Sequence, residues 1–416
     1  MSALFGLLGE KLGHSFSPQI HRELGGYEYA LMEIRREDLP AFFAARDFKA
    51  INVTIPYKEA VLPWMDSLSE AAEKIGSVNT VVKDDDGALH GFNTDYYGFT
   101  QMVYRSRIAI SGRKCLVLGS GGASKTVRTV LGDLGAEKIV TISRSGPDNY
   151  ENIERHADAQ VIVNATPVGM YPHNGVSPVE LSCFPRLEGV LDLIYNPAKT
   201  VLLLEAEARG IPNLNGLYML AAQAKQASEL FQNIRIDDRE IGRVNALISA
   251  QTANIVLIGM PGSGKTTVGR LVSEACGRPF IDTDSMIEER AGCTCGDYLR
   301  GRGEEAFRRL ETEVLREAGR HTGCVIATGG GVVTRPENWN ILRQNGVIFH
   351  LERPLEKLSR SGDRPLSFTP EKLQELWKAR ASLYENLRDY VVPNMGEEEA
   401  AREIGRLMKT NWGESL

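Results

Sequence analysis

The sequence has few cysteines, no long apolar segment and no excess of basic residues. Six cysteines in 416 residues are scattered along the chain, whereas secreted domains held together by disulfides are shorter and much richer in cysteine. No apolar run approaches the roughly 18–20 residues that a membrane-spanning helix needs. The formal net charge of −6 argues against nonspecific binding of nucleic acid or of anionic membranes as the main role.

The remaining composition is that of a globular protein with more than one domain. Hydrophobic residues make up 42% of the chain and charged residues 25%, which excludes wholesale disorder. A chain of this length is expected to form two or three domains. The first eight residues have neither a basic flank nor a cleavage site, so they predict a short strand and not a signal peptide.

Two clusters of potential metal ligands have plain structural interpretations. Cys293 and Cys295 form an isolated C-x-C pair, with no second pair at the spacing of a zinc site. The run Asp84-Asp85-Asp86-Gly87 lies between two predicted strands and is typical of a hairpin turn. We therefore predict a turn at the aspartates and reduced thiols at the cysteines, as in a cytoplasmic protein.

Short apolar runs alternate with helical patterns along the whole chain, which is typical of an α/β protein. A helical stretch is predicted from about 217 to 231, and the polar segment 245–254 is interpreted as a short linker. The predicted strands are 3–8, 29–34, 51–55, 79–83, 114–118, 138–143, 160–164, 189–193 and 254–258.

A phosphate-binding motif follows the strand predicted at 254–258. The run Gly259–Thr266 matches G-x-x-x-x-G-K-[ST], and a helical pattern begins directly after it. Glycines allow backbone N–H groups to approach phosphate oxygens, Lys265 can reach the β- and γ-phosphates, and Thr266 can bind Mg²⁺. The residues predicted to bind ATP here are Gly262, Ser263, Gly264, Lys265, Thr266 and Thr267.

Two carboxylates follow the next predicted strand. Asp282 and Asp284 stand where the carboxyl end of a strand faces the ligand crevice of an open α/β sheet. One could lie near Mg²⁺ and the other near an acceptor hydroxyl. The alternative is a capped helix N-terminus, which Asp284 alone could supply.

Six motifs in this order, over about 254–394, resemble shikimate kinase. They are the phosphate-binding motif, the D-x-D pair, Phe307-Arg308-Arg309-Leu310-Glu311, Gly329-Gly330-Gly331, Arg364-Pro365-Leu366 and Arg380. The resemblance implies a P-loop α/β domain like that of nucleoside monophosphate kinases, with Lys265 and Asp284 as catalytic residues. It implies that Arg364 contacts the nucleotide phosphates and that Asp282, with Thr266, lies near Mg²⁺. It assigns shikimate to Asp284, Arg308, Gly330, Gly331 and Arg380. The lid at 360–364 looks short for this family.

A second nucleotide motif lies in the first half of the chain. Gly119-Ser120-Gly121-Gly122-Ala123 is a variant of G-x-G-x-x-G that follows a predicted strand and opens a helix, which favours dinucleotide binding. The next strand ends at Arg144, with no carboxylate at 143–145. An acidic residue there would suit the free ribose of NAD, whereas an arginine suits the 2′-phosphate of NADP.

Several polar residues near predicted strand ends point to a substrate site. Ser15 and Ser17 are two residues apart in a loop, so both hydroxyls can face one ligand. Lys58 follows a strand, and Asp95 lies in another loop. Taken singly, Lys58 and Asp95 are typical of surface residues.

Together these motifs, over about 4–230, resemble shikimate dehydrogenase. The match also includes the segments 78–80, 164–170, 192–197 and 215–220. The resemblance implies that Lys58 and Asp95 form the catalytic pair and that His14 supports its loop. It assigns the substrate to Ser15, Ser17, Thr54, Asn79, Asp95, Tyr195 and Gln223. It assigns NADP to Gly119, Gly121, Gly122, Ala123, Ser143, Arg144, Ser145, Thr166 and Met219.

Two departures from the dehydrogenase pattern concern the cofactor. The stretch from 145 to 160 is shorter than usual, so a helix of the cofactor domain is expected to be reduced. The second phosphate-binding arginine of the family falls on Asp148, which leaves the strength of the preference for NADP open.

The sequence therefore predicts four consecutive parts. The first is a substrate domain at 1–104, which is completed by a helix around 217–240. A Rossmann-type NADP domain follows at 105–216. A helical part with a short linker spans 217–248, and a kinase domain spans 249–416. The chain is expected to divide near Ser249-Ala250 into two separately folding enzymes. The partners are expected to be small molecules, without nucleic acid or membrane, and the oligomeric state is left open.

Both halves would act on one molecule, which predicts a bifunctional enzyme of the shikimate pathway. NADPH would reduce 3-dehydroshikimate to shikimate, and Mg²⁺-ATP would phosphorylate shikimate to shikimate 3-phosphate. One alternative is a catabolic, NAD-linked quinate/shikimate dehydrogenase fused to a kinase. Another is a non-catalytic sensor of such ligands, and a third is a chain in which only the kinase half is active.

Overall fold

The computed structural model describes residues 5–13, 15–358 and 369–412. The predicted lid at 360–364, with Arg364, and the supporting residue His14 lie outside the described residues. The chain divides into two units. The first holds the described residues within Met1–Gly169, Val176–Tyr195 and Glu205–Asn245, and the second holds those within Met170–Gly175, Asn196–Leu204 and Ala246–Leu416. No helix in the described part of the chain is long and apolar enough to cross a membrane.

The first unit begins with a six-stranded mixed sheet. Its strands are β1 (Phe5–Gly9), β2 (Tyr29–Glu33), β3 (Ala50–Val53), β4 (Ser67–Leu68), β5 (Thr80–Lys83) and β6 (Leu89–Phe92). Its helices are α1 (Ser17–Gly25), α2 (Leu39–Ala45), α3 (Glu70–Ile75) and α4 (Thr94–Ser106). The strand order is β2-β1-β3-β5-β6-β4, with β5 antiparallel to β3 and to β6.

The hairpin between β5 and β6 forms where the sequence predicted it. Gly87 adopts a φ of +85° and donates its backbone N–H to the carbonyl oxygen of Asp84 at 3.1 Å. The Asp84 carboxylate accepts the backbone N–H groups of Asp86 and Ala88 within the same turn. The aspartate cluster is thus a turn, as predicted.

A five-stranded parallel sheet follows in the first unit. Its strands are β7 (Lys114–Leu118), β8 (Lys138–Ile142), β9 (Val161–Asn164), β10 (Gly189–Asp192) and β11 (Asn213–Asn215), in the order β11-β10-β9-β7-β8. Its helices are α5 (Gly122–Asp133) and α7 (Leu217–Gln232), and the division between the two units falls within α6 (Val201–Ala208). Between β8 and β9 there is a 3₁₀ helix of four residues, Ile153–His156, so the helix that was expected to be reduced is reduced.

Helix α7 returns to the first sheet and completes its core. Ala227 and Phe231 of this helix pack with Phe5 and Ala50 of that sheet. The ring of Phe231 stacks on that of Phe5, with the centroids 5.4 Å apart. Helix α7 therefore contributes side chains to the core of the first sheet.

The predicted linker is part of a helix, α8 (Arg239–Thr252). The division between the two units falls within it, between Asn245 and Ala246. Ile248 and Ala250 are fully buried. The buried Arg278 guanidinium donates to the carbonyl oxygens of Ala250 and Ala253, both at 2.6 Å. A cut at Ser249-Ala250 would therefore divide a capped helix and not an exposed linker.

The second unit contains a parallel sheet of five strands in the order β13-β14-β12-β15-β16. The strands are β12 (Asn254–Ile258), β13 (Phe280–Asp282), β14 (Val325–Ala327), β15 (Gly346–Glu352) and β16 (Tyr390–Pro393). The helices are α9 (Lys265–Cys276), α10 (Thr283–Ala291), α11 (Cys295–Arg302), α12 (Glu304–Ala318), α13 (Pro336–Arg343), α14 (Pro370–Leu387) and α15 (Glu397–Trp412). β12 is buried along its whole length, and its side chains enter one apolar cluster on each face of the sheet.

The cap on α8 leads to the first prediction. Arg278→Met keeps an unbranched apolar stem but leaves two carbonyl oxygens without their charged donor, so we expect the second unit to lose about 3 kcal/mol of unfolding free energy. Urea unfolding followed by tryptophan fluorescence measures this, because Trp339 and Trp377 lie in that unit. Arg270→Met on the surface of α9 is the control, with an expected loss below about 1 kcal/mol. Equal losses in both variants would contradict the cap.

Candidate functional sites

A cavity of about 230 Å³ lies in the first unit, between the ends of its two sheets. Every residue that the sequence predicted for the dehydrogenase substrate lines it, as do the predicted catalytic lysine and two residues predicted to bind the cofactor. These residues are Ser15, Ser17, Thr54, Lys58, Asn79, Asp95, Tyr195 and Gln223, with Ala123 and Met219 from the cofactor set.

Lys58 and Asp95 form an ion pair at the wall of this cavity. Nζ of Lys58 lies 2.6 Å from Oδ2 of Asp95, and the two side chains are 28% and 14% exposed. Lys58 lies in the turn after β3, where its backbone carbonyl accepts the N–H of Val78. Asp95 is in the first turn of α4, where the helix dipole favours a carboxylate. The two residues are 37 positions apart in sequence, and the fold alone brings them together.

Hydroxyl groups surround the pair. The backbone N–H of Ser17, the first residue of α1, donates to Oγ of Ser15 at 3.2 Å. Thr54 directly follows β3 and is held by its N–H, which donates to the Leu8 carbonyl at 2.9 Å. Burial raises the pKa of Tyr195, so its phenol stays protonated near neutral pH. The cavity thus offers several hydrogen-bonding groups to a polyhydroxylated ligand.

A glycine turn lies between β7 and α5 at the cofactor side of the cavity. Gly119 has a φ of +102°, and a Cβ atom there would lie 2.9 Å from the Thr166 methyl group. A Cβ at Gly121 or Gly122 would meet nothing within 4 Å. No side chain caps α5, so its first backbone N–H groups are open to a ligand. This arrangement fits a dinucleotide diphosphate, as the motif predicted.

The loop with Thr166 is fixed by two buried side chains. Oδ1 of Asn164 accepts the Thr166 hydroxyl at 2.7 Å and the Thr166 N–H at 3.1 Å. The Asn164 amide nitrogen donates to the Asp192 carboxylate at 3.0 Å, which ties the ends of β9 and β10 together. Thr166 therefore has a fixed position beside the glycine turn.

Beyond β8, Arg144 and Ser145 are exposed and Ser143 is half-buried. The Asp148 carboxylate, which the sequence analysis considered as a repulsive group, accepts a hydrogen bond from Nε2 of His156 at 2.9 Å. Its backbone carbonyl accepts the N–H of Ser143. Asp148 thus has a role within its own loop that the sequence did not reveal.

The second unit carries the phosphate-binding turn between β12 and α9. Gly259, Gly262 and Gly264 have φ values of +148°, +79° and +95°, which favour glycine. Nζ of the buried Lys265 donates to the carbonyl oxygens of Gly259 and Met260, both at 3.0 Å. No side chain caps α9, so the turn presents backbone N–H groups with a lysine beneath them.

Asp282 at the end of β13 serves two purposes. Its Oδ1 caps α10 by accepting the backbone N–H groups of Asp284 and Ser285. Its Oδ2 accepts the Thr266 hydroxyl at 2.8 Å. The cap that the sequence considered for Asp284 is therefore supplied by Asp282. A hydroxyl and a carboxylate at the phosphate-binding turn suit Mg²⁺, which is usually held by few protein ligands and by phosphate oxygens.

The predicted kinase substrate residues converge on the loop Gly329–Gly331. A Cβ at Gly329 would lie 2.7 Å from the Glu311 carboxylate and 2.8 Å from that of Asp284. A Cβ at Gly331 would lie 2.1 Å from Nη1 of Arg308. The glycines thus allow two acidic groups and one guanidinium to approach the same stretch of backbone.

Arg308 and Glu311 form a buried ion pair on α12. Nη1 of Arg308 donates to Oε2 of Glu311 at 2.8 Å, and the side chains are only 8% and 1% exposed. Burial alone would lower the pKa of Arg308, but the carboxylates of Glu311 and Glu304 together outweigh it and raise that pKa. The guanidinium is therefore charged.

Arg380 approaches the same loop from α14. It donates from Nη1 to the Gly330 carbonyl at 3.1 Å. The hydroxyl of Tyr384 donates to the same oxygen, and burial raises the pKa of Tyr384 to about 12. Two guanidinium groups, a carboxylate and a fixed glycine loop thus stand together beside the phosphate-binding turn.

Three residues at these sites were not assigned by sequence reasoning. Asn52 lines the first cavity. The only feature of the sequence that could have pointed to this role is its position near the end of a strand. Glu311 was part of a quoted motif without a role, although its spacing of three from Arg308 predicts a helical ion pair. Asn394 donates to the Ser263 carbonyl at 2.7 Å and supports the phosphate-binding turn from a position 131 residues away.

Comparisons with known proteins give two families. The family model for the shikimate dehydrogenase substrate binding domain matches residues 7–81, and that for shikimate kinase matches residues 261–409. Among curated proteins, the shikimate dehydrogenase (NADP(+)) of Clostridium perfringens (strain 13 / Type A) is 36% identical over 256 residues. The match covers 56% of this chain and 94% of that relative.

Two solved structures resemble the first part of the chain. One is a chorismate mutase/shikimate 5-dehydrogenase fusion protein from Clostridium acetobutylicum, at 36% identity and a TM-score of 0.57, covering 60% of this chain and 97% of that one. The other is a quinate dehydrogenase from Corynebacterium glutamicum in complex with NAD, at 30% identity and a TM-score of 0.54, covering 59% and 97%.

The buried pair on α12 leads to the second prediction. Glu311→Leu leaves the Arg308 charge buried without its partner and should cost about 3–5 kcal/mol of unfolding free energy. Adding Arg308→Met removes that charge, so the double variant should be more stable than Glu311→Leu alone. Urea unfolding of the wild type, both single variants and the double variant measures the coupling. Additive losses would mean that the two side chains do not interact.

Proposed function

The chain belongs to the shikimate dehydrogenase family and carries a shikimate kinase domain after it, and from this premise we propose that it catalyses two consecutive steps of the shikimate pathway. The first unit reduces 3-dehydroshikimate to shikimate with NADPH, and the second phosphorylates shikimate at its 3-hydroxyl with ATP. The observation that carries the proposal is the Lys58–Asp95 pair, 2.6 Å apart in a cavity lined by hydroxyl and amide groups. The same chain holds a complete phosphate-binding turn beside two arginines.

In the first unit Lys58 provides the proton. NADPH, when bound, supplies the hydride that is added to the ring carbonyl carbon of 3-dehydroshikimate. Lys58 donates a proton from Nζ to the carbonyl oxygen as it becomes a hydroxyl, and Asp95 orients the ammonium group through its 2.6 Å contact. Lys58 is 28% exposed, so solvent can return the proton.

The cofactor is held by groups from the parallel sheet. The open N–H groups of α5 and the glycine turn bind the diphosphate, and Thr166 lies against Gly119 at the same turn. Arg144 is exposed at the end of β8, where a guanidinium suits the 2′-phosphate of NADP. The Asp148 carboxylate accepts a hydrogen bond from His156. We therefore expect it to repel the 2′-phosphate of NADP less than its position in the sequence suggested.

In the second unit the protein mainly positions groups and neutralises charge. Asp284 accepts the proton of the 3-hydroxyl as that oxygen attacks the γ-phosphorus of ATP and ADP leaves. Arg308 and Arg380 bind the shikimate carboxylate, each by a charge-assisted hydrogen bond. Lys265 stabilises the negative charge that develops on the phosphate oxygens. Thr266 and Asp282 would hold Mg²⁺, which supplies further neutralisation of those oxygens when bound.

The alternatives remain distinguishable by experiment. The similarity to a quinate dehydrogenase in complex with NAD is the observation that favours the alternative of a catabolic, NAD-linked dehydrogenase. A non-catalytic sensor is disfavoured because Lys58, Asp95, Lys265 and Asp284 are all present. The 3₁₀ helix in place of a full helix motivates the alternative in which only the kinase half is active. The proposal includes a cytoplasmic location, where NADPH and ATP are both available.

The third prediction separates the two activities. Lys58→Ala should lower kcat/KM for the reduction by about 100-fold or more and leave ATP-dependent phosphorylation of added shikimate unchanged, because general acid catalysis contributes 10²–10⁴-fold. Lys265→Ala should do the converse, with a loss of about 100-fold or more. Both rates are measured on each purified full-length variant.

Matched controls come from exposed lysines in the same units. Lys74→Ala removes a surface ion pair with Asp133 in the first unit, and Lys409→Ala changes an exposed helix end in the second. Both should retain wild-type rates. A folded Lys58 or Lys265 variant that had lost both activities would refute the assignment of one reaction to each unit.

The fourth prediction concerns the cofactor. Arg144→Ala should weaken NADPH binding by about 10-fold or more and change NADH binding by less than about twofold, because one charge-assisted contact is lost. Arg155→Ala, an exposed arginine of the nearby 3₁₀ helix, is the control and should change neither. Steady-state kinetics with each cofactor measures the two constants. A wild-type enzyme that uses NADH as well as NADPH would instead support the catabolic alternative.

A further inference from the structure

We propose that Tyr29, Asn52 and Thr80 form a chain of hydrogen bonds that positions the side chain of Asn79, so that its amide nitrogen is presented to the substrate in the first cavity. This inference rests on the proposed dehydrogenase function and deepens it. It assigns to Asn79 the role of a hydrogen-bond donor, and to three residues behind it the role of fixing that orientation.

The amide of Asn79 cannot be reversed in this structure. Its Oδ1 accepts the backbone N–H of Thr94 at 2.7 Å, and a backbone N–H can only donate. The hydroxyls of Thr80 and Thr94 donate to the same oxygen at 3.0 and 3.2 Å. Nδ2 of Asn79 makes no hydrogen bond to any described residue, and the side chain lines the cavity. The nitrogen, with two N–H donors, is therefore the end left for a ligand.

Asn52 determines the direction of the Thr80 hydroxyl. Nδ2 of Asn52 donates to Oγ1 of Thr80 at 3.0 Å and to the backbone carbonyl of Asn79 at 3.3 Å. A carbonyl can only accept, so this nitrogen assignment is also fixed. Because Thr80 accepts from Asn52, its own proton is left for Oδ1 of Asn79 at 3.0 Å or for Oγ1 of Thr94 at 3.2 Å, and Oγ1 of Thr94 lies 3.2 Å from the same Oδ1. Thr80 is fully buried and Asn52 is 5% exposed, so water cannot easily replace these contacts.

Tyr29 holds the far end of the chain. Its hydroxyl donates to Oδ1 of Asn52 at 2.7 Å. Burial raises the pKa of Tyr29 well above its usual value, so the phenol is a donor near neutral pH. Its ring stacks on His21 with centroids 4.1 Å apart, and Nδ1 of His21 is bound to the Tyr27 hydroxyl at 2.6 Å. The donors of Tyr29, Asn52 and Thr80 thus follow one another in the direction of Asn79.

The consequence is a preference for ligands that present an acceptor oxygen to Asn79. A ring hydroxyl can do so through its lone pairs while it donates its own proton to another group. A ligand with an apolar substituent at that point would leave two N–H donors unpaired and should bind more weakly. The chain from Tyr29 therefore contributes to the selection of a polyhydroxylated ring.

The test compares two substitutions at Thr80 that separate hydrogen bonding from packing. Thr80→Val keeps the volume but removes the hydroxyl, and Thr80→Ser keeps the hydroxyl but removes the methyl group. We expect Thr80→Val to raise KM for shikimate about fivefold in the oxidation with NADP⁺, with little change in kcat or in KM for NADP⁺. Thr80→Ser should remain within about twofold of the wild type. Tyr29→Phe should resemble Thr80→Val in its KM.

Kinase activity of the same preparations serves as the internal control for folding and concentration. If Thr80→Ser impaired the enzyme more than Thr80→Val, or if Thr80→Val left KM unchanged, the positioning role would be wrong although the dehydrogenase assignment stood. If the wild-type chain did not oxidise shikimate at all, the proposed function would fail first, and this inference would fail with it.

Discussion

In both units a buried parallel strand passes directly into the N-terminus of a helix through glycines with positive φ. Gly119 between β7 and α5, and Gly259, Gly262 and Gly264 between β12 and α9, adopt backbone conformations that other residues rarely adopt. Neither helix has a side-chain cap, so its first N–H groups remain available for phosphate oxygens. The two proposed nucleotide sites therefore share one backbone requirement, glycines with positive φ before an uncapped helix. The side chains proposed to bind the substrates lie near the ends of the neighbouring strands.

Charged groups at both substrate sites are paired and largely removed from water. Lys58 is paired with Asp95 in the first unit, and Arg308 is paired with Glu311 in the second. Burial of such pairs costs solvation, so they contribute little to stability for their size. Their benefit is geometric, because a fixed ammonium or guanidinium does not need to be ordered when the substrate arrives.

Much of this could be predicted from the sequence, where local patterns carry the information. The glycine turns, the hairpin at Asp84–Gly87 and most strands follow from short runs of residues. The pairing of Lys58 with Asp95 does not, because they are 37 positions apart and only the fold, or a resemblance to a family, relates them. The roles of Asn52 and Asn394 depend on partners in other strands and loops, which no local pattern reveals.

The helix α8 shows why the predicted linker was difficult to interpret. Its last four residues include Ser249, Gln251 and Thr252 and suggested a short polar linker, yet Arg278 binds the carbonyl oxygens there and Ile248 is buried. The guanidinium that binds this helix end comes from a residue 25 and 28 positions later in the chain than the two carbonyl groups. Composition alone therefore suggested dividing the chain at a position that lies within a packed helix.

The most direct test of the central claim is to follow both reactions in one vessel. The purified full-length chain is mixed with 3-dehydroshikimate, NADPH, ATP and Mg²⁺, and the products are identified by mass spectrometry. The account predicts shikimate 3-phosphate, with shikimate accumulating when ATP is omitted and no product forming when NADPH is omitted. Phosphorylation of added shikimate without any oxidation of NADPH by 3-dehydroshikimate would contradict it, and so would the absence of both reactions.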